Sequence, residues 1–150
     1  MIKHFPEPAI PADVLTRLCE FYSHLDVSQL PQLSRIYHPH VVFIDPVSHY
    51  DGVDALERYF AQLLKKVNYC RFDIQPPLTS GAEASLFWRM EFSHPALKKG
   101  QPMFLNGASH LRLSDNRIAY QRDYYDLGAM LYEHVPVLGG AVRAVKARLK

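Results

Sequence analysis

Three places in the sequence carry side chains able to move a proton. The first is Asp123, beside Arg122 in residues 116–134, NRIAYQRDYYDLGAMLYEH, where aromatic residues surround the charged pair. A carboxylate there is either solvated on an outer face or held in a polar site within an apolar wall. Only the second situation shifts its pKa and makes it a proton-transfer group. The second place is Arg89-Met90-Glu91, within a segment that alternates apolar and polar residues. The third is Asp45, in Phe-Ile-Asp-Pro at the end of a strand-like run. Its plain structural role would be to bond the turn that follows. His38-x-His40 and the isolated His94 and His110 have no recognised ligand spacing, so no metal site is expected. Neither a glycine-rich phosphate loop nor a Ser-x-x-Lys or Gly-x-Ser-x-Gly nucleophile pattern is present.

The elements that must position these groups can be read from periodicity. After a proline-punctuated lead-in over residues 1–11, Val14, Leu18, Phe21 and Leu25 recur at helical spacing. A short second helix is expected from Ser28 as N-cap, with Leu30, Leu33, Ile36 and Tyr37 on its apolar side and His38-Pro39-His40 ending it. Residues 41–45 read as a first strand that Pro46 stops. Asp51 reads as the cap of a third helix, with Val53, Leu56, Phe60, Leu63, Leu64 and Val67 as its apolar face. Three strand-like segments follow, at about 69–75, 82–93 and 101–113, separated by Pro76-Pro77-bearing and 95–100 junctions. Asp115-Asn116 turns the chain into a last strand, which gives way at Gly128 to a short amphipathic segment. Leu138, Val142, Val145 and Leu149 then mark a final helical pattern. Helices first and a strand meander after them is an α+β order, in a single domain over residues 1–150.

Composition narrows the function classes. A formal charge of +2 with scattered basic residues gives no electrostatic footprint for nucleic acid. No apolar run approaches the length of a membrane span, so no membrane insertion is expected. The two cysteines, Cys19 and Cys70, read as free thiols of a cytoplasmic protein without a secretory leader. The tail VRAVKARLK reads as the solvated face of a packed helix rather than a membrane-surface segment.

The stretch RDYYDLGAMLYEHVPVLGG resembles the closing strand and C-terminal segment of the limonene epoxide hydrolases. Those belong to the nuclear-transport-factor-two-like superfamily, with the SnoaL-like cyclases and the ketosteroid isomerases. The superfamily resemblance covers nearly the whole chain. It implies a strongly curved, cone-shaped sheet, antiparallel or mixed, wrapped around the N-terminal helix, with a pocket at its mouth. The hydrolase resemblance implies that Asp123 is the acid, Arg89 the charge-bridging guanidinium and Glu91 the second carboxylate, standing where that family has an aspartate. Phe43 and Asp45 stand where the family holds water with a tyrosine and an asparagine. Phe-Ile-Asp-Pro also resembles the Asp-Pro of the ketosteroid isomerases, which implies a proton-shuttling role for Asp45. Phe21 then falls where that family has its tyrosine donor and Ser109 where it has a protonated aspartate, so the resemblance keeps the base and loses the oxyanion hole.

The resemblance has a consequence for the strand over 82–93. By alternation alone Leu86, Trp88, Met90 and Phe92 would face the core and Arg89 and Glu91 water. The resemblance implies the reverse, with Phe87, Arg89 and Glu91 inward. Leu86, Trp88, Met90 and His110 would then form an outer face covered by a second copy, making a homodimer. The expected pocket takes Phe21 and Tyr22 from the first helix, Phe43 from the first strand and Phe60 from the third helix. The later strands would give Phe87, Leu105, Ser109, Gln121 and Tyr125, and the closing segment Met130. Ser109 is expected inward and His110 outward, because Met103, Leu105 and Leu111 share the parity of Ser109. The function implied is cofactor-free acid–base chemistry, of hydrolase, isomerase or cyclase type, on a hydrophobic small molecule. The alternative is a non-catalytic pocket that binds a hydrophobic ligand or a protein partner.

Overall fold

The computed structural model describes residues 12–130 and 136–150. Helix α1 (Ala12–Ser23) is followed by a 3-10 turn (Val27–Gln32) and the one-turn helix α2 (Leu33–Ile36). Strands β1 (Tyr37–Ile44) and β2 (His49–Asp51) lead into helix α3 (Val53–Lys66). Then come β3 (Tyr69–Ile74), β4 (Leu78–Ser80), β5 (Glu83–Ser93), β6 (Met103–Ser114) and β7 (Arg117–Tyr125). The short α4 (Leu127–Met130) and α5 (Pro136–Ala147) close the described chain.

The strands form one mixed sheet in the order β2-β1-β7-β6-β5-β3, with β4 also on β5. Among the described strands β1 and β7 run parallel and the other pairs are antiparallel. The α+β class and the mixed sheet therefore agree with expectation. Hairpin β6–β7 turns through Asp115 and Asn116, both in the left-handed region at φ 52 and 58. These are the short polar residues that tolerate that conformation, and the two-residue primed turn matches the twist of the strands.

Three local features differ from what the sequence leads one to expect. Asp51 does not cap α3: it ends β2, and Gly52 holds the cap position at φ 88, a conformation that favours glycine. Asp26, not Ser28, caps the 3-10 turn and accepts from the Ser28 amide. His38-Pro39-His40 lies inside β1, whose register against β7 shifts between Tyr37 and Val42. That irregularity lets the proline sit in the strand without breaking the ladder on either side. The short β2 and β4 carry too few residues for alternation to reveal them.

The core lies between the helices and the inner face of the sheet. Val14, Leu18, Phe21 and Leu25 are buried as their spacing requires, and Leu56 and Phe60 bring α3 onto the same cluster. On β5 the buried set is Ala84, Leu86, Trp88, Met90 and Phe92; Phe87 and Arg89 are exposed. The alternation rule therefore holds and the inverted orientation does not. Each large apolar side chain on that face contributes roughly 1.5–3 kcal/mol when buried. Turning the strand over would expose them and bury Arg89 and Glu91, at several kcal/mol per charge. Gly107, opposite Trp88 on β6, completes the fit: a Cβ there would come within 2.2 Å of the indole.

Candidate functional site

A cavity of about 370 Å³ opens between α3 and the inner face of the sheet. Its walls are aromatic and apolar: Phe43 from β1, Tyr59 and Phe60 from α3, Phe72 from β3, Trp88, Met90 and Phe92 from β5, and Tyr125 from β7. Tyr50 stacks on Tyr59 at 4.7 Å between centroids. Two carboxylates face this space, Asp45 and Asp123. Lys66 and His94 also line it. A second depression lies beside α1, lined by Leu15, Cys19, His24 and Thr79. Burial raises the pKa of the Cys19 thiol there, which works against a nucleophile.

Asp45 follows the last residue of β1, where the chain must turn toward β2. Its Oδ1 accepts the backbone N–H groups of Val47 and Ser48, both at 2.7 Å, and its Oδ2 accepts the Tyr59 hydroxyl at 3.3 Å. Both oxygens are engaged, and the structural role of organising the following turn is present.

Asp123 is held differently. It lies on β7 opposite Ser109 of β6, on the inner face. Its Oδ1 accepts the Ser109 hydroxyl at 2.6 Å and the Gln121 amide at 2.9 Å. No hydrogen bond reaches Oδ2 from the described residues, and the side chain lines the cavity. Desolvation raises its pKa to about 6; the bonds from Ser109 and Gln121 oppose the rise, and the charge of Asp45 adds to it. A carboxyl so placed is divided between acid and base near neutrality, as proton transfer in both directions requires.

Behind Asp123 lies a closed polar ring. Tyr37 donates to Gln121 Oε1 at 2.6 Å, and the Tyr22 and Tyr37 hydroxyls meet at 2.9 Å. Gln121 Nε2 reaches the Tyr22 hydroxyl at 3.3 Å as well as Asp123. On the other side the Trp88 indole N–H donates to Ser109 Oγ at 2.9 Å. Tyr22, Tyr37, Trp88, Ser109 and Gln121 are all buried, so each of these bonds satisfies a buried polar group. Burial pushes the phenols of Tyr22 and Tyr37 well above their usual pKa, which keeps both protonated.

Several expected site residues come together here: Asp123, Asp45, Tyr22, Phe43, Phe60 and Tyr125 on the cavity, and Ser109 and Gln121 directly behind it. Others do not. Arg89 points outward and its guanidinium lies 4.1 Å from the centre of the Phe104 ring. Glu91 shares that outer face and pairs with Arg71. The expected Asp123–Arg89–Glu91 arrangement is therefore not formed. Phe87 is exposed on the outer face, for the same reason of strand parity. Phe21 is buried edge-on to Tyr22 and Phe60, and Leu105 is buried in the core; neither lines the cavity. The Met130 side chain falls outside the described residues. Leu86, Trp88 and Met90 are inside, so they cannot be the surface of a dimer; His110 alone of that set is on the outer face, near Glu83. Among the described residues no group of three His, Cys, Asp or Glu side chains converges on a point.

Sequence reasoning missed Trp88 and Met90 as pocket walls, although plain alternation pointed to them. It also missed Tyr59, whose signal was its place beside Phe60 on α3, and Tyr50, for which β2 was too short to give one.

A profile of the SnoaL-like domain matches residues 18–121, and the chain belongs to that family. The match covers Asp45, Ser109 and Gln121 and ends two residues before Asp123. No curated protein matches the sequence. Solved structures with the same fold include a hypothetical protein with a ketosteroid isomerase-like fold from Catenulispora acidiphila, in complex with trimethylamine. It is 15% identical, with a TM-score of 0.69, over 80% of this chain and 90% of that one. A putative SnoaL-like polyketide cyclase from Jannaschia is 13% identical, with a TM-score of 0.68, over 81% and 91% of the two chains. A putative polyketide cyclase from Acidithiobacillus ferrooxidans is 17% identical, with a TM-score of 0.65, over 81% and 92%. At these identities the likeness is one of fold, and the reaction must be argued from the site. No helix among the described residues is long and apolar enough to cross a membrane.

Proposed function

We propose that this chain is an acid–base enzyme of isomerase or cyclase type that needs no cofactor and acts on a hydrophobic small molecule. Asp123 is the group that gives and takes the proton. The observation that carries this reading is the asymmetry of Asp123: Oδ1 is tied to Ser109 and Gln121, Oδ2 has no hydrogen-bond partner among the described residues, the side chain lines an aromatic cavity, and the pKa stands near 6. Tyr125 lies two residues on, on the same face of β7, and its hydroxyl has no hydrogen-bond partner among the described residues. Burial and the charges of Asp45 and Asp123 raise its pKa, so it stays protonated and serves as a donor to a carbonyl oxygen that gains charge. Aromatic walls hold the body of the substrate and exclude water. The polyketide cyclase descriptions of two fold neighbours are consistent with such a substrate. The hydrolase branch is dropped, because Arg89 and Glu91 are on the other face of the sheet.

The test is deuterium exchange into a panel of enolisable aromatic ketones, followed by NMR in D₂O. Exchange faster than buffer, lost in Asp123→Asn, is the expected result. Ketones that bind without exchange above buffer would leave a non-catalytic binding pocket as the function. The free thiols of Cys19 and Cys70 support a cytoplasmic setting, Cys70 being buried with its pKa raised to about 12. A homodimer stays part of the proposal only through the true outer face, where Phe87, Phe104 and Tyr124 are exposed among arginines. Sedimentation as a monomer at tens of micromolar removes it.

A further inference from the structure

The polar ring behind Asp123 has only one arrangement of protons that satisfies every bond while Asp123 is ionised. The Trp88 indole can only donate, so Ser109 accepts from it and must send its own proton to Asp123 Oδ1. An ionised carboxylate can only accept, so the Gln121 group facing it must be the Nε2 amide. The Oε1 of Gln121 then accepts from Tyr37. Tyr37, having spent its proton on Gln121, must accept from Tyr22. Tyr22 in turn accepts from Gln121 Nε2, which closes the circle. Tyr22 lines the cavity but has no proton left to offer a ligand.

We propose that Gln121 and Ser109 are positioning residues that confine the exchangeable proton of Asp123 to Oδ2, and that Tyr37 fixes the amide orientation on which this depends. A proton on Oδ1 would face the amide N–H of Gln121. To place one there, either the Ser109 hydroxyl must turn off the carboxyl and lose its acceptor, or the amide must turn over and the Tyr22 and Tyr37 hydroxyls must reverse together. The ring therefore makes Asp123 a single-oxygen acid and base, aimed into the cavity. The inference deepens the acid–base reading and rests on it for its purpose. The substrate class it adds is one that offers a single exchanging atom to Oδ2, such as the carbon beside a carbonyl. A guanidinium or amidine that needs both carboxylate oxygens does not fit.

The chain contains one tryptophan, so its indole N–H is a single, assignable reporter wired to Asp123 through Ser109. The experiment is a pH titration of the folded protein by NMR, reading the Asp123 side-chain carbon and the Trp88 indole N–H together. In the unaltered protein both should move with one midpoint. Gln121→Ala and Ser109→Ala each remove a donor to the carboxylate and should raise that midpoint by about one pH unit. Ser109→Ala should also uncouple the indole from the titration. The decisive variant is Tyr37→Phe, which touches neither Asp123 nor the cavity. It frees Gln121 to turn over, and the Asp123 midpoint should rise by about half a unit or more. Tyr22→Phe tests the same circle if Tyr37→Phe does not fold, as judged by circular dichroism. A Tyr37→Phe or Tyr22→Phe protein that folds with the Asp123 midpoint unmoved overturns the proposal. So does an indole that ignores the titration in the unaltered protein. A wild-type midpoint near 4 would instead count against the acid–base reading, whatever the tyrosine variants do.

Discussion

Asp45 and Asp123 face one cavity from neighbouring strands, yet they are built for opposite tasks. Asp45 accepts two backbone amides on one oxygen and a phenol on the other, and the turn from β1 to β2 depends on it. Asp123 has its donors gathered on one oxygen and leaves the second toward the ligand space. Residue type does not separate the two, and the more exposed Asp123 is the one with the raised pKa. What separates them is where the donors come from. A strand end supplies backbone amides from a turn, whereas the middle of a sheet has its amides in the ladder and must solvate a carboxylate with side chains from the next strand. Side-chain donors can be placed on one oxygen only, and that leaves chemistry available.

The largest effect expected from this contrast is on turnover. Asp123→Asn keeps an acceptor for Ser109 and Gln121 but cannot carry the proton, so exchange of a bound ketone should fall roughly 10²–10⁴-fold. Asp45→Asn, which keeps the acceptor for the turn amides, should leave exchange within about tenfold, since its charge acts on Asp123 only at a distance. Equal losses in both variants would erase the distinction.

Next is a pH effect on stability. The folded pKa of Asp123 is raised from 3.8 to about 6, so the folded state binds the proton more tightly than the unfolded chain. The contribution is fully present below about pH 4 and is lost as pH rises through about 6, on the order of 3 kcal/mol in all. Chemical denaturation of Asp123→Asn against the parent should show the variant gaining relative stability across that window. A flat difference from pH 4 to 7 would mean the carboxyl is not desolvated.

A smaller effect belongs to the turn. Asp45→Ala strands two amides and should destabilise by about 1–3 kcal/mol, while Asp45→Asn should lose less; thermal melts of the two rank them. The smallest effect is on the outer face. Arg89→Ala and Glu91→Gln should each change stability by less than about 1 kcal/mol and leave exchange unaltered. A strong loss of exchange on either would restore these residues to the chemistry.

Much of the fold was legible. Helical spacing marked α1 and α3, and the Asp115-Asn116 turn marked the β6–β7 hairpin. The parity of Ser109 with Met103, Leu105 and Leu111 placed it inward, where it is. Asp123 was legible as a candidate because a charge inside an aromatic run demands explanation. The partners of Asp123 were not. Gln121 and Ser109 read as pocket lining, and Tyr37 as one residue of a helix face, because a bond across 84 positions, Tyr37 to Gln121, leaves no local trace.

The orientation of β5 separates what the sequence determined from what the folded chain decided. Alternation determined that Trp88 and Arg89 lie on opposite faces, because successive side chains of a strand cannot do otherwise. Which face is the pocket was decided by tertiary structure. Gly107 opposite Trp88 leaves room for an indole, and the burial of five apolar side chains outweighs any gain from two desolvated charges. Likewise the sequence determined that Asp123 sits among aromatics. That it has one tied oxygen and one free was decided only when β6, β7, α1 and β1 brought Ser109, Gln121, Tyr22 and Tyr37 to the same spot.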